Sequence, residues 1–133
     1  MKPDPHVEAL RWLRQAEEDL DAARFLLSGQ RYNLACFLAQ QAAEKAMKGL
    51  LHALGAEDVW GHSVAELCRD AAGFSKDFET LISQGTVLDK YYIPTRYPDS
   101  LPGGIPAEAF EKEDAERAIG VAEHIISTVK QRT

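Results

Sequence analysis

Two groups of residues in this chain carry side chains that can do chemistry. In the first, Gln41, Glu44, Lys45, Lys48 and His52 follow one another at steps of three, one, three and four, so on a helix they form a single polar stripe. Facing a cleft, such a stripe offers lysines to a phosphate and an amide to a base edge. Facing solvent, it is an ordinary seam in which Glu44 and Lys48 make an i, i+4 pair worth about 0.2–0.5 kcal/mol. The second group is the segment YYIPTRYPDSLPGG at residues 91–104, where Tyr91, Tyr92, Arg96, Tyr97 and Asp99 gather among prolines and glycines. Aromatic faces stack on bases, and a guanidinium binds phosphate through two parallel hydrogen bonds. The same residue types are favoured at protein interfaces, so a subunit seam is a second use for the segment.

Other chemistries lack their residues. His6, His52, His62 and His124 lie on different segments, and no H-x-x-x-H or H-E-x-x-H spacing gathers them for a metal, so no metal site and no cofactor is expected. There is no G-x-S-x-G elbow, no G-x-x-x-x-G-K-[ST] loop and no G-x-G-x-x-G turn. His62, just before Ser63, reads as a structural residue at a helix entrance. Cys36 and Cys68 sit in apolar helical contexts and read as two buried, reduced thiols.

The elements that must position these groups are helices. Leu10, Leu13, Ala16, Leu20, Ala23 and Leu27 predict a helix over 7–28, closed by Gly29. A second is expected from Asn33, read as its N-cap, to Leu54, with Gly55 in the left-handed conformation beyond it. Apolar residues cover most of its circumference, as expected of a central helix touched from several sides. Ser63 and Glu66 have the spacing of a capping box that opens a third helix running to Ala72. Residues 74–92 read as one interrupted helix or two short ones, with Phe78, Leu81, Ile82, Val87 and Leu88 as core. Pro94, Pro98, Pro102 and Pro106 keep the next segment out of a helix. A last helix is expected over 107–131, burying Ala115, Ile119, Ala122, Ile125, Ile126 and Val129. No strand pattern is present. The fold class is all-α, an antiparallel bundle of four or five helices.

The chain has 133 residues, 45% of them hydrophobic and 27% charged, the size and composition of one globular domain. Its net charge of −6 argues against general nucleic-acid binding, which usually shows a basic excess, while leaving room for a small local anion pocket. Gln40, Gln41, Glu44, Lys45, Lys48 and His52 interrupt the most apolar run, so no bilayer span is expected, and no signal-peptide core follows Met1. A cytoplasmic protein is the expectation.

Three stretches in order, QQAAEKAMKGLL at 40–51, GHSVAEL at 61–67 and RYPD at 96–99, resemble the HEPN domain family. The resemblance spans nearly the whole chain, from the helix bearing Trp12 to the last helix, and implies a single HEPN-like helical domain over 1–133. It implies a homodimer whose second helix and arginine loop line a cleft linked to nucleotide or RNA binding. Small prokaryotic members of this kind pair with a minimal nucleotidyltransferase. Gln41, Glu44, Lys45 and Lys48 match the helix motif, and Arg96, Tyr97 and Asp99 match the loop motif. These seven are therefore the ligand-binding candidates, with a nucleotide as the implied ligand.

One departure bears on catalysis. The ribonuclease branch of the family carries a histidine four to six residues after the arginine, whereas here Tyr97, Pro98, Asp99, Ser100, Leu101, Pro102 and Gly103 follow Arg96. Without it the loop lacks an acid or base that works near neutral pH. The leading expectation is a non-catalytic accessory module of a nucleotidyltransferase pair. The alternative is a metal-independent ribonuclease toxin of a toxin–antitoxin pair, borrowing a histidine such as His62. A third reading is a purely structural protein whose loop is the dimer seam.

Overall fold

The computed structural model describes residues 4–133. Among them are six α-helices and no strand: α1 (Pro5–Ser28), α2 (Tyr32–Ala53), α3 (Val64–Ala72), α4 (Ile82–Asp89), the single-turn α5 (Pro106–Ala109) and α6 (Lys112–Arg132). A 3₁₀ segment, Lys76–Leu81, runs directly into α4, and another, Pro98–Ser100, lies in the tyrosine and arginine segment. The all-α bundle expected from the sequence is the fold. The helix beyond the expected four or five is α5, which the sequence reading merged into α6. Phe110 and Glu111 are extended and separate them.

The centre is α2. It packs on α1, α3 and α6, and most of its 22 residues are buried, in keeping with its nearly all-round apolar sequence. Small residues let its neighbours come close: Ala39, Ala42, Ala43 and Ala46 are fully buried, and a Cβ at Gly49 would stand 2.9 Å from the Ala9 carbonyl oxygen and 3.0 Å from Trp12 Cβ. Three residues between α1 and α2 force the two to run antiparallel. The left-handed residue in that turn is Gln30, at φ 61°, while Gly55 after α2 is left-handed as expected, at φ 88°.

Two helix starts differ from their sequence signals. Asn33 lies inside α2 rather than capping it, and its amide nitrogen donates to the Thr95 carbonyl oxygen at 3.0 Å. It ties the arginine segment to the start of the central helix. At α3, Ser63 Oγ accepts from the Glu66 N–H at 3.1 Å as expected, but the Glu66 carboxylate pairs with Arg69 at 2.7 Å instead of reaching back. Asp89, at the end of α4, takes over: it accepts from Ser63 Oγ and from the Val64 N–H, both at 2.6 Å. A negative charge at a helix N-terminus is favourable, so α4 and α3 are joined where α3 begins. The reciprocal capping box occurs at α6, between Glu111 and Asp114.

Of the expected core residues, Leu10 faces solvent at 41% exposure and Ala9 takes its place inside. Phe78, Leu81 and Leu88 and the whole predicted α6 stripe are buried, while Ile82 and Val87 pack at its edge. Cys36 and Cys68 are buried and unbridged, and burial pushes both thiols up to about 12, which keeps them protonated and inert. Among the described residues no helix is long and apolar enough to cross a membrane.

The tightest joint is Gly85 of α4 against the start of α3. A Cβ there would lie 2.7 Å from the Ala65 nitrogen and 2.9 Å from the Val64 carbonyl carbon, both backbone atoms that cannot rotate away. Gly85→Ala is expected to cost about 1–3 kcal/mol in urea unfolding through overpacking. Gly120→Ala, in α6 with nothing within 4 Å of the added carbon, is expected to stabilise by about 0.5–1 kcal/mol.

Candidate functional site

The arginine segment is an ordered structure. After α4 the chain turns back on itself: the Thr95 hydroxyl donates to the Tyr91 carbonyl, the Arg96 N–H donates to the Ile93 carbonyl at 3.0 Å, and Thr95 is fully buried. Tyr91 anchors the segment from inside at 2% exposure, with its ring edge-on to Phe110. The Asn33 bond to Thr95 closes the other side. Arg96 thus stands on a fixed backbone beside the N-terminal half of α2.

Its side chain is fixed as well. Arg96 Nε donates to the Tyr92 carbonyl at 2.9 Å, and the guanidinium carbon lies 4.2 Å from the ring centre of Phe37, 4.7 Å from that of Tyr92 and 5.0 Å from that of Tyr97. Each aromatic contact is worth about 0.5–1 kcal/mol at a partly exposed site, so together they hold the plane of the fork. Among the described residues, neither terminal nitrogen has a hydrogen-bond acceptor and no carboxylate lies within ion-pair distance. The result is an oriented, partly exposed cation with two donors to spare.

The stripe on α2 is not a solvent seam. Glu44 is only 4% exposed and Lys48 9%, and they pair at 3.1 Å. The Glu44 carboxylate also receives Gln40 Nε2 at 3.3 Å and Gln41 Nε2 at 3.5 Å, and lies 3.4 Å from His62 Nδ1. Gln40, fully buried, donates to the His62 carbonyl at 2.9 Å, so both ring and backbone of His62 are held from α2. The His62 ring then stacks on Tyr92, with centroids 4.9 Å apart and planes 17° apart. Tyr92 therefore touches both His62 and Arg96, and a continuous line of contacts joins the stripe to the loop. At its other end Lys48 lies 5.8 Å from the Trp12 ring centre, and His52 stacks on that same indole at 6.0 Å.

The seven candidates fall into distinct places. Gln41, Glu44 and Lys48 form the buried knot, while Arg96 and Tyr97 belong to the aromatic cluster joined to it through Tyr92. Lys45 turns the other way, pairing with Asp19 of α1 beside an open groove of about 460 Å³ lined also by Arg11, Trp12 and Arg14. Asp99 is exposed on the 3₁₀ turn and makes no ion pair with Arg96 among the described residues, so it does not orient that guanidinium. The Tyr92 carbonyl does. Phe37, Tyr92, His62 and Gln40 belong to the cluster without being among the seven; Tyr92 stands in the aromatic segment read from the sequence, and His62 is the histidine of the ribonuclease alternative. For two of them a signal exists in the spacing: Gln40 lies four residues before Glu44, and Tyr92 four before Arg96.

Residues 9–132 match the family of the HEPN domain. The chain belongs to the HEPN family. Among solved structures, this HEPN domain is similar to TT1696 from Thermus thermophilus, with a TM-score of 0.86 and 43% identity over 95% of this chain and 98% of that one. It is also similar to ST0689, an archaeal HEPN homologue, with a TM-score of 0.78 and 41% identity over 99% of this chain and 98% of that one. Among curated proteins, one named "Putative toxin MJ1304", from Methanocaldococcus jannaschii, is 29% identical over 128 residues, 90% of this chain and 84% of its own length.

Breaking the knot separates its parts. Glu44→Ala leaves Lys48 buried without a counter-charge and is expected to cost about 3–5 kcal/mol in urea unfolding. Lys45→Ala removes the more exposed lysine, its side chain 25% exposed against 11% for Lys48, and leaves the buried Asp19 carboxylate the Gln15 amide at 2.9 Å, so it is expected to cost less, about 1–2 kcal/mol. Equal costs would contradict this division.

Proposed function

We propose that this HEPN domain is a non-catalytic module that binds a nucleotide phosphate at Arg96 and acts as the accessory subunit of a minimal nucleotidyltransferase pair. The observation that carries the binding reading is the Arg96 guanidinium, held by the Tyr92 carbonyl and three aromatic rings with its two terminal nitrogens unpaired among the described residues. A planar fork with two free parallel donors matches a phosphate, and its fixed pose removes most of the ordering cost of binding. Tyr97, 47% exposed beside it, offers a face to a base. Lys48 and Lys45 already have carboxylate partners, so Lys48 acts by shaping the knot beneath the site, and Lys45, turned toward α1 and neutralised by Asp19, takes no part in it. Asp99 accepts a hydrogen bond from the ligand. A cytoplasmic homodimer is the setting of this reading, with exposed Leu34, Ile93 and Tyr97 offering apolar surface to a second copy.

A second reading is a ribonuclease toxin, favoured by the relative named "Putative toxin MJ1304" and by His62, which stands on the same tyrosine as Arg96. Prolonged incubation with single-stranded RNA decides it: cleavage lost in Arg96→Ala supports the toxin, and intact RNA removes it.

For the leading reading, titration of ATP by calorimetry is expected to give heat with the native chain and at least about a tenfold weaker affinity in Arg96→Ala, the loss of one charge-assisted interaction. Absence of heat in both proteins counts against nucleotide binding. The partner is tested separately, by whether a small nucleotidyltransferase copurifies from native cell extract; recovery of the chain alone counts against the pair.

A further inference from the structure

We infer that His62 is a second anion-binding residue of the Arg96 site, aimed by Glu44, and that the two side chains together take a diphosphate group. The inference rests on the reading of Arg96 as a phosphate ligand and extends it to a second residue and to a ligand class.

His62 is the one histidine whose position is specified by buried groups from another element. Gln40 holds its carbonyl at 2.9 Å and the 4%-exposed Glu44 carboxylate stands 3.4 Å from Nδ1. A phosphate at Nε2 needs a donor there, so the ligand-bound ring carries both protons, Nδ1–H toward the Glu44 carboxylate and Nε2–H toward the ligand. The side chain is 61% exposed, and Nε2 has no protein partner among the described residues. A histidine that only closed a helix entrance would not require this, because Ser63 and Asp89 already satisfy the first N–H groups of α3.

Tyr92 stands between the imidazole and the guanidinium. The imidazole stacks 4.9 Å from the centre of its ring and the guanidinium lies 4.7 Å from the same centre. Sharing one ring keeps the imidazole and the guanidinium close enough for two linked phosphates, one on the Arg96 fork and the second on His62. Of the charged groups beside His62, Glu44 is paired with Lys48, Asp89 with the α3 N-terminus and Glu66 with Arg69, while Glu57 and Asp58 of the same loop are exposed. The buried Glu44–Lys48 pair is neutral as a unit, and Arg96 is the cation that shares Tyr92 with His62.

The test is titration of inorganic pyrophosphate and of inorganic phosphate into the native chain, His62→Gln and Arg96→Ala, with the histidine ring resonances followed by NMR. Native protein is expected to bind pyrophosphate at least about tenfold more tightly than phosphate, one further charge-assisted contact. His62→Gln is expected to abolish that preference while leaving phosphate binding unchanged, and Arg96→Ala to weaken both. Pyrophosphate is expected to shift the His62 resonances of the native chain. Equal pyrophosphate affinity in native protein and His62→Gln, with loss in Arg96→Ala, overturns the role of His62 and leaves the Arg96 reading standing. Failure of the native chain to bind either ion while it binds ATP overturns the diphosphate assignment alone, and failure to bind all three overturns both readings.

Discussion

The carboxylate of Glu44 is the constraint on which the candidate site depends. It is buried in the middle of α2, where an uncompensated charge costs several kcal/mol, and it is kept there by Lys48, Gln40, Gln41 and His62. Each of those donors is fixed by the need to satisfy it. Gln40 is thereby set to catch the His62 carbonyl, and the loop between α2 and α3 is pinned to the helix it has just left. His62 then meets Tyr92, Tyr92 meets Arg96, and one buried charge fixes side chains on three separate segments.

The scaffold around this knot is chosen for close approach. Alanines and Gly49 bring α1 and α2 together, Gly85 lets α4 touch the backbone of α3, and Asp89 joins the end of α4 to the start of α3. These contacts fix where α4 ends and hence where the arginine segment begins. Tyr91 and Thr95, both buried, and Asn33 from α2 do the rest. The segment rich in proline and glycine is therefore as well anchored as the helices, which suits a binding residue whose value lies in being held still before the ligand comes.

Much of this was legible in the sequence because helical periodicity is a local signal. The spans of α1, α2, α3 and α6, the central place of α2 and the α6 stripe follow from it, and the three ordered motifs carry the family. What sequence does not show is which side of a stripe meets which neighbour. Glu44 and Lys48 have the spacing of a surface pair, and only the packing of α1 and the α2–α3 loop makes them a buried one. Asn33 has the type of an N-cap, but a carbonyl 62 residues away claims its amide. Asp99 belongs to the loop motif with Arg96, but the Tyr92 carbonyl is what holds the guanidinium. His62 looks structural until its partners on α2 and Tyr92 are seen together. In each case a long-range partner overrides a local rule.

The central claim is that Arg96 is an anion ligand rather than a packing residue, and a crystal structure of the chain soaked with ADP tests it most directly. The account predicts a phosphate on the two terminal nitrogens of Arg96, reached also by His62, with Tyr92 between the two side chains. Nucleotide bound only in the groove beside Lys45, or an Arg96 fork covered by a second copy of the chain with no space for phosphate, would contradict it.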